Sequence, residues 1–524
     1  MRKMDAETAA IESIDDTFPE VKEEFAALRD RHEGSSIDIK AFRISFITEK
    51  IKTLHKVVKI PDSKFLASVI IINFNVDGCW SSYLFRAIVA LPGTKRKENI
   101  NWYWSSFLFR TIAALLGVKR KVDRDLLLNN YIHVYKTFQC EIRISETCVR
   151  TFNIVGTYFC QQNNATSVCG HASLCMTINN MVTYKGEIIT PEHINRSIGT
   201  NHKKTKFGSG VGLSIENIRT ALDSFGLKYT QIDFIPNQQF EYDSVIHKYI
   251  EGGYPTLLIF NTKNALHVVT VLGHTLNTDL WRPEAEYAYI KPQHSDDYMV
   301  YRPASEWVDN FIIHDDNFGM YQCMQVDSLK RETNAKTDPT FRAYYAVMIT
   351  PDDVKTFAYE AEYASVKITK DLLLMQKNSF VAINDWLERI LLSDSLKMIS
   401  VARTMLVRRE DYSRSLGETD FDGNTFTDIE KEEIINDLPD LFWLSEITLP
   451  DLYTANKTKL IDFFYPTNLP PLTDINDIYK RWIQIRFPEA LIKNKENQLT
   501  VFEMSVLSHY PLFRKMNGPI VPEW

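Results

Sequence analysis

FCQQNNATSVCGHASLCMTINNM, residues 159–181, is the stretch of this chain that determines the fold of its central region. A segment rich in Gln and Asn comes first, and a run typical of a helix begins at Cys169. The first turn of a helix has unpaired N–H groups and the positive end of the helix dipole, and both lower the pKa of a thiol. The sequence therefore predicts a helix with a reactive cysteine at its exposed start, and it places Cys175 in the core.

After this helix, the pattern changes from helices to strands. Capping residues predict helices over 190–199 and 214–226, and a third helix that ends at Gly252. Four runs rich in β-branched and aromatic residues then predict strands: PTLLIFN, ALHVVTVLGH, DNFIIHD and FRAYYAVMIT. We therefore expect an α+β domain over residues 149–350, in which the helix carrying Cys169 packs on an antiparallel sheet.

Two side chains of these strands suit catalysis by Cys169. His267 lies within ALHVVTVLG, where a rigid strand can aim an imidazole at a helix terminus. Asp315 follows the apolar run of FIIHDDNFG, and a carboxylate there can accept a hydrogen bond from the second ring nitrogen. Asp316 and Asn317 stay open as alternatives for this role. The three side chains would supply a nucleophile, a base and a group that orients the base.

An oxyanion hole requires a further donor beside the backbone N–H of Cys169. Gln161 and Gln162 precede Cys169 closely enough to supply a side-chain amide. We favour Gln162, and Gln161 and Asn163 remain alternatives.

A zinc site is the main competing interpretation of this stretch. Cys160, Cys169, His171 and Cys175 are close in sequence and are ligand types that zinc accepts. Their spacing lacks a second ligand pair, and a continuous helix points Cys169 and His171 in different directions. We therefore expect no metal and no cofactor, with His171 in the wall of the site.

QQNNATSVCGHASL, ALHVVTVLGH and IIHDDNFG together resemble the papain-like cysteine peptidases, and especially the branch similar to the bacterial C39-type peptidases. The resemblance covers the central region only. It implies that Cys169 attacks, His267 acts as base, Asp315 orients the imidazole and Gln162 contributes to the oxyanion hole. Asp315 follows His267 by 48 residues, which exceeds the spacing typical of the family. We expect the aromatic segment 275–307 within this gap to form a substrate-binding flap.

The resemblance implies a thiol-dependent hydrolase that cleaves a peptide or isopeptide bond through an acyl-enzyme. The same Cys, His and Asp serve transglutaminases, deamidases and acyltransferases, which differ in the acceptor that enters second. A papain-like binding module without catalysis is the third interpretation. The expected partner is a protein or peptide substrate.

The flanking regions show no recognisable chemistry. WSSYLFRAIVALPGTKRK from Trp80 is repeated as WSSFLFRTIAALLGVKRK from Trp104, which predicts a duplicated helix with a basic end. The predicted regions are an amphipathic helical segment over 1–34, a small α+β domain with this duplicated helix over 35–148, a helical region over 351–415 and an α+β region over 416–524.

Composition excludes several classes of partner. With 60 Lys and Arg against 67 Asp and Glu, the formal net charge is -7, so no basic field favours nucleic acid. The 7 cysteines are isolated and odd in number, which favours a reducing compartment, and we expect a cytoplasmic location. No apolar run reaches the roughly 18 residues that span a bilayer, so no membrane span is expected.

Overall fold

Three β-sheets organise the part of the chain that the computed structural model describes. The described residues are 9–47, 65–90, 130–145, 148–161, 169–199, 212–237, 241–262, 266–276, 301–329, 342–376, 400–450, 452–456 and 458–513. Within them the fold is mixed α+β, and every strand pair is antiparallel except one parallel pair in the third sheet. The α+β class expected from the sequence is confirmed at this level.

The N-terminal sheet has six strands in the order β1-β2-β3-β4-β7-β6. These strands are β1 (Ala9–Ile14), β2 (Ile37–Ile47), β3 (Phe65–Val76), β4 (Cys79–Ala90), β6 (Lys136–Ser145) and β7 (Cys148–Phe159). Helix α1 (Pro19–Arg31) buries Val21, Phe25 and Leu28 against this sheet. Ala9–Ile14 is therefore a strand rather than part of the helix expected over the N-terminal segment, because it pairs along its whole length with β2.

The helix predicted from Trp80 is wrong, because residues 79–90 form strand β4. This strand pairs with β3 from Cys79 to Val89, and Asp77 and Gly78 join the two strands. Both turn residues have positive φ, 50° and 91°, as two-residue hairpin turns that match the twist of the strands require. The second copy, from Trp104, lies outside the described residues.

The central sheet runs in the order β13-β12-β10-β9-β14-β8, with β5 also paired to β10. Its strands are β5 (Asn130–Ile132), β8 (Lys228–Asp233), β9 (Thr256–Asn261), β10 (Leu266–Thr275), β12 (Asn310–Asp315), β13 (Gly319–Gln325) and β14 (Ala343–Thr350). All four strands expected from apolar runs are present. The expected domain boundary at 148/149 falls within the hairpin of β6 and β7. Strand β5 lies before this boundary but pairs with β10 of the central sheet, so the two regions share structure.

Four helices flank the central sheet: α2 (Cys169–Asn180), α3 (Pro191–Ser197), α4 (Ile215–Ser224) and α5 (Tyr242–Ile250). Helices α3 and α4 begin at the predicted caps, where the hydroxyls of Thr190 and Ser214 accept from backbone N–H groups. Helix α2 contacts β7 of the N-terminal sheet and β10 of the central sheet, and Gly170–Asn180 are buried throughout. It is therefore a central helix enclosed between two sheets.

The C-terminal sheet runs β11-β15-β16-β17-β18-β19-β20, and β11 is parallel to β15. Its strands are β11 (Tyr301–Pro303), β15 (Ser400–Arg408), β16 (Leu441–Thr448), β17 (Ile461–Pro466), β18 (Gln484–Arg486), β19 (Ala490–Lys495) and β20 (Gln498–Glu503). Helix α6 (Ala358–Gln376) packs on β15 and β16, as does α5 on β15. The remaining helices are α7 (Arg409–Ser415), α8 (Asp428–Ile435) and α9 (Ile478–Arg481).

The region expected to be helical over 351–415 contains a central strand. Residues 400–408 form β15, which is buried along nearly its whole length and pairs on both sides. A short, continuously apolar run does not distinguish a buried strand from a buried helix, and here the neighbouring strands determine the outcome. Helix α6 confirms the helical prediction for the earlier part of the region.

Candidate active site

Cys169 is the first residue of α2, as predicted, and hydrogen bonds fix this helix to strand β10. The Ser173 hydroxyl donates to the carbonyl of Val268 (2.8 Å), and the Thr270 hydroxyl donates to the carbonyl of Ser173 (2.9 Å). The hydroxyls of Thr177 and Thr270 are 3.0 Å apart. Because β10 also carries His267, these contacts fix the distance between the start of the helix and the imidazole.

His267 contacts both of its predicted partners. Its Nε2 lies 3.1 Å from Oδ2 of Asp315, and the Cys169 thiol is near enough to the same ring to raise its pKa. Since Nε2 faces the carboxylate, Nδ1 is the nitrogen that remains for the thiol. The rings of Phe260 and His267 are perpendicular, with an angle of 90° between their planes and 5.5 Å between their centroids. This contact limits rotation of the imidazole. The structure therefore brings Cys169, His267 and Asp315 together.

Asp315 is fixed by the turn that follows β12. Its Oδ1 accepts from the backbone N–H groups of Asn317 (2.8 Å) and Phe318 (3.2 Å), which leaves Oδ2 to His267. On the preceding residue, the buried His314 has its Nε2 3.0 Å from the Thr157 hydroxyl of β7. The end of β12 is thus fixed on both sides.

Asp316 also points into the site, because the turn has already begun at this residue. It is 1% exposed, and its Oδ2 has no hydrogen-bond partner among the described residues. Ligand-type atoms of His267, Asp315 and Asp316 all lie within 4.8 Å of one another. Side chains alternate between the two faces of an extended strand, so Asp316 would face away from His267 if the strand continued. It points into the site because the strand ends at Asp315.

The charges of these groups depend on one another. Burial disfavours the charged form of His267. Hydrogen bonds to Asp315 and Cys169, together with the negative charges of Asp315 and Asp316, outweigh the effect of burial and raise the pKa of His267 to about 10. Burial raises the pKa of Asp316 to about 7, the charge of His267 opposes this rise and the charge of Asp315 adds to it. The site therefore favours an imidazolium, which is the form that holds a proton taken from a thiol.

The zinc site considered for the helix does not form among the described residues. Nε2 of His171 lies 2.7 Å from the amide oxygen of Asn195, away from Cys169. Cys175 is fully buried in the core, and burial and its contact with Cys160 raise the pKa of its thiol well above the usual value. The groups that could hold an ion near Cys169 are instead His267, Asp315 and Asp316.

Of the candidate side-chain donors to the oxyanion hole, Gln161 lies among the described residues. Gln161 is attached to strand β4, where its side-chain oxygen accepts from the backbone N–H of Leu84 (3.2 Å). Gln162 and Asn163 lie outside the described residues, so the predicted oxyanion-hole donor stays a prediction. The backbone N–H of Cys169, in the first turn of α2, is available for that role by its position.

The aromatic segment 275–307 is not a flap at its C-terminal end. Tyr301 begins β11, which pairs with β15, and Trp307 is buried against Tyr453 with ring centroids 5.6 Å apart. The chain between His267 and Asp315 therefore contributes an edge strand to the C-terminal sheet, which accounts for the wide spacing. Residues 277–300 lie outside the described part of the chain.

Two exposed apolar side chains lie next to His267 and Asp315 along the chain. Leu266 precedes His267 and is 46% exposed, and Phe318 closes the turn after Asp315 and is 50% exposed. Each would contribute apolar contact area to a chain that approached Cys169.

Comparison with known proteins gives no relative from which a function could be transferred. No protein-family model matches the chain, and no curated protein matches it. Among the described residues, no helix has the length and apolar character needed to cross a bilayer.

Proposed function

We propose that this protein is a thiol-dependent hydrolase of the papain-like kind that cleaves a peptide or isopeptide bond through an acyl-enzyme on Cys169. One observation carries the proposal: the imidazole of His267 lies 3.1 Å from the carboxylate of Asp315 and beside the thiol of Cys169, which begins a helix. This is the arrangement that nucleophilic cysteine catalysis requires.

In the first half of the reaction, His267 holds the thiol proton and the Cys169 sulfur attacks the carbonyl carbon. A bond forms between sulfur and carbon, and the backbone N–H of Cys169 stabilises the negative oxygen. The imidazolium then donates its proton to the leaving amine as the bond between carbon and nitrogen breaks. Asp315 keeps the ring oriented and stabilises its positive charge throughout.

In the second half, water replaces the amine. His267 takes a proton from water, the hydroxide attacks the thioester and the carboxylic acid leaves as the bond between carbon and sulfur breaks. If an amine enters instead of water, the same site becomes a transglutaminase or acyltransferase, and water acting on a glutamine side chain gives a deamidase. The acceptor distinguishes these alternatives. We infer a reducing, cytoplasmic setting, since the six cysteines whose state is described are free thiols.

The test is a comparison of wild type with Cys169→Ala on a peptide library derived from a whole proteome, read by mass spectrometry. We expect new peptide termini with wild type and none with Cys169→Ala. Cys175→Ala is the matched control, because Cys175 lies two turns along the same helix and is fully buried. It should cost about 1 kcal/mol of stability and retain turnover.

The alternatives give different products in the same experiment. Deamidated glutamines or new cross-links without cleaved chains would assign the chemistry to a deamidase or a transglutaminase. Cleavage that persists in Cys169→Ala, or that a chelator abolishes while thiol alkylation does not, would refute the thiol mechanism. The second result would implicate a metal ion in turnover, bound either by His267, Asp315 and Asp316 or by His133, Glu251 and His274.

A further inference from the structure

A second cluster of ionisable side chains lies between the central and C-terminal sheets. Strand β10 contributes His274, helix α5 contributes His247 with Glu251 at its end, and His133 follows β5. His247, Glu251 and His274 are each at most 3% exposed. The proposed hydrolase mechanism uses none of these residues.

Three imidazole nitrogens converge on one carboxylate oxygen. From Oε1 of Glu251, the Nε2 atoms lie at 2.7 Å for His274, 3.2 Å for His247 and 3.8 Å for His133. Ligand atoms bound to zinc at about 2.0–2.1 Å in a tetrahedron lie about 3.3 Å apart, so the three distances bracket the edge of such a site. Ligand-type atoms of His133, Glu251 and His274 also all lie within 4.8 Å of one another.

Nδ1 of His274 and Oε2 of Glu251, the atoms that face away from the cluster, have partners typical of a metal site. Nδ1 of His274 lies 3.1 Å from the carbonyl of Thr275, a partner to which a metal-bound histidine commonly donates. Oε2 of Glu251 accepts from Arg403, which leaves Oε1 to the histidines. The buried Nε2 of His247 faces this oxygen and has no hydrogen-bond partner among the described residues.

The donor types of the cluster indicate which metals it would bind. Neutral imidazole nitrogen and carboxylate oxygen suit zinc and other divalent transition metals rather than calcium or magnesium.

We propose that His133, Glu251 and His274 bind one divalent transition-metal ion, zinc in the first instance. The site is closed by protein on most sides, which is typical of a structural ion rather than a catalytic one. It would hold α5 and β10 of the central sheet together beside β15, the strand that carries Arg403. This proposal does not depend on the thiol mechanism.

The test is titration of the metal-free full chain with Zn²⁺ by calorimetry and with Co²⁺ by visible absorption. We expect one ion per chain, a tetrahedral Co²⁺ spectrum and a higher melting temperature with metal. His274→Ala should weaken binding at least tenfold. His133→Ala, at the more exposed edge of the cluster, is the second variant if His274→Ala fails to fold.

His267→Ala is the control, because it removes the other group of candidate ligands and should retain full binding. If wild type binds no Zn²⁺ or Co²⁺ at micromolar concentration, the proposal is wrong. It is equally wrong if His267→Ala abolishes binding while His133→Ala and His274→Ala retain it.

Discussion

At the scale of single residues, the two adjacent carboxylates beside His267 have different environments. Oδ1 of Asp315 accepts two backbone hydrogen bonds and Oδ2 contacts the imidazole, so both carboxylate oxygens have partners. Asp316 is buried with one oxygen unpartnered, so its ionised form is disfavoured. We therefore assign the orienting role to Asp315 and an electrostatic role to Asp316.

This assignment predicts unequal kinetic effects. Asp315→Ala should lower kcat about 10²-fold or more with little change in KM, because the imidazole loses its orientation and its partner. Asp316→Ala should lower kcat much less. Steady-state kinetics on a substrate identified from the peptide library measures both, and a larger loss for Asp316→Ala would reverse the assignment.

The raised pKa of Asp316 also predicts a pH dependence of stability. The folded state binds this proton more tightly than the unfolded state, so stability from this group is present below the unfolded pKa of about 3.9 and is lost as pH rises toward 7. Asp316→Asn mimics the protonated form and should therefore stabilise the protein at pH 8 by on the order of 2–4 kcal/mol relative to its effect at pH 4. Urea unfolding at both pH values measures the difference, and an equal effect at the two would contradict the raised pKa.

Two of the three candidate positions were marked in the sequence because they lie where an element starts or stops, and His267 was marked by its place within a strand. Cys169 follows a polar segment and opens an apolar helix, and Asp315 closes an apolar run. The inward direction of Asp316 was not predictable from strand alternation, since the turn begins one residue early. The histidine cluster was missed because its members are distant in sequence, although His247 and Glu251 stand four apart on one helical face.

At the scale of elements, the site depends on how α2 is attached to β10. The Thr270 hydroxyl, fully buried, donates to the Ser173 carbonyl and lies 3.0 Å from the Thr177 hydroxyl, so this side chain makes two of the three hydroxyl contacts between the helix and the strand, beside that of Ser173 with Val268. Thr270→Val keeps the shape and removes these bonds. We expect a loss of about 1–3 kcal/mol in stability, because buried polar groups lose their partner, and a severalfold lower kcat, because Cys169 shifts relative to His267.

Thr404→Val is the matched control. Thr404 is a buried threonine of β15 whose hydroxyl lies 2.8 Å from that of Ser445, in the C-terminal sheet. It should cost similar stability and leave kcat unchanged. Equal kcat losses in both variants would mean that general destabilisation, rather than helix placement, lowers the rate.

Elements with strong local signals were predictable, and those set by tertiary pairing were not. The hydroxyl caps at Thr190 and Ser214 gave the helix starts, since their hydrogen bonds are local. Strand β4 was mistaken for a helix because its apolar residues fit either period, although Asp77-Gly78 is a recognised hairpin signal. No hairpin turn marks strand β15, because its partner strand β16 is not adjacent to it in sequence.

At the scale of the whole molecule, helices and sheets alternate in layers. Helix α2 lies between the N-terminal and central sheets, α5 lies between the central and C-terminal sheets, and α6 packs on the C-terminal sheet. The turn after α5 lies close to β15 at Gly252, where an added Cβ would lie 1.9 Å from the carbonyl oxygen of Leu406. A backbone atom cannot move away as a flexible side chain can.

Gly252→Ala should therefore destabilise the protein by about 3 kcal/mol or more, because the clash forces α5 away from β15. Gly417→Ala is the control, since its added Cβ would meet only ordinary contact, at 3.4 Å from the Arg414 carbonyl oxygen. Urea unfolding compares the two variants. A loss no larger for Gly252→Ala than for Gly417→Ala would contradict the tight junction between these sheets.

The central claim is that Cys169 is activated by His267, and alkylation of the wild-type chain by iodoacetamide at pH 6 tests it most directly. Peptide mapping gives the rate at each cysteine, and the exposed Cys79 serves as the internal reference. An ordinary thiol with a pKa near 8.5 is almost wholly protonated at this pH, so we expect Cys169 to react about 10²-fold faster than Cys79 and to lose this advantage in His267→Ala. If Cys169 reacts no faster than Cys79, or if His267→Ala leaves its rate unchanged, then Cys169 is not the activated nucleophile.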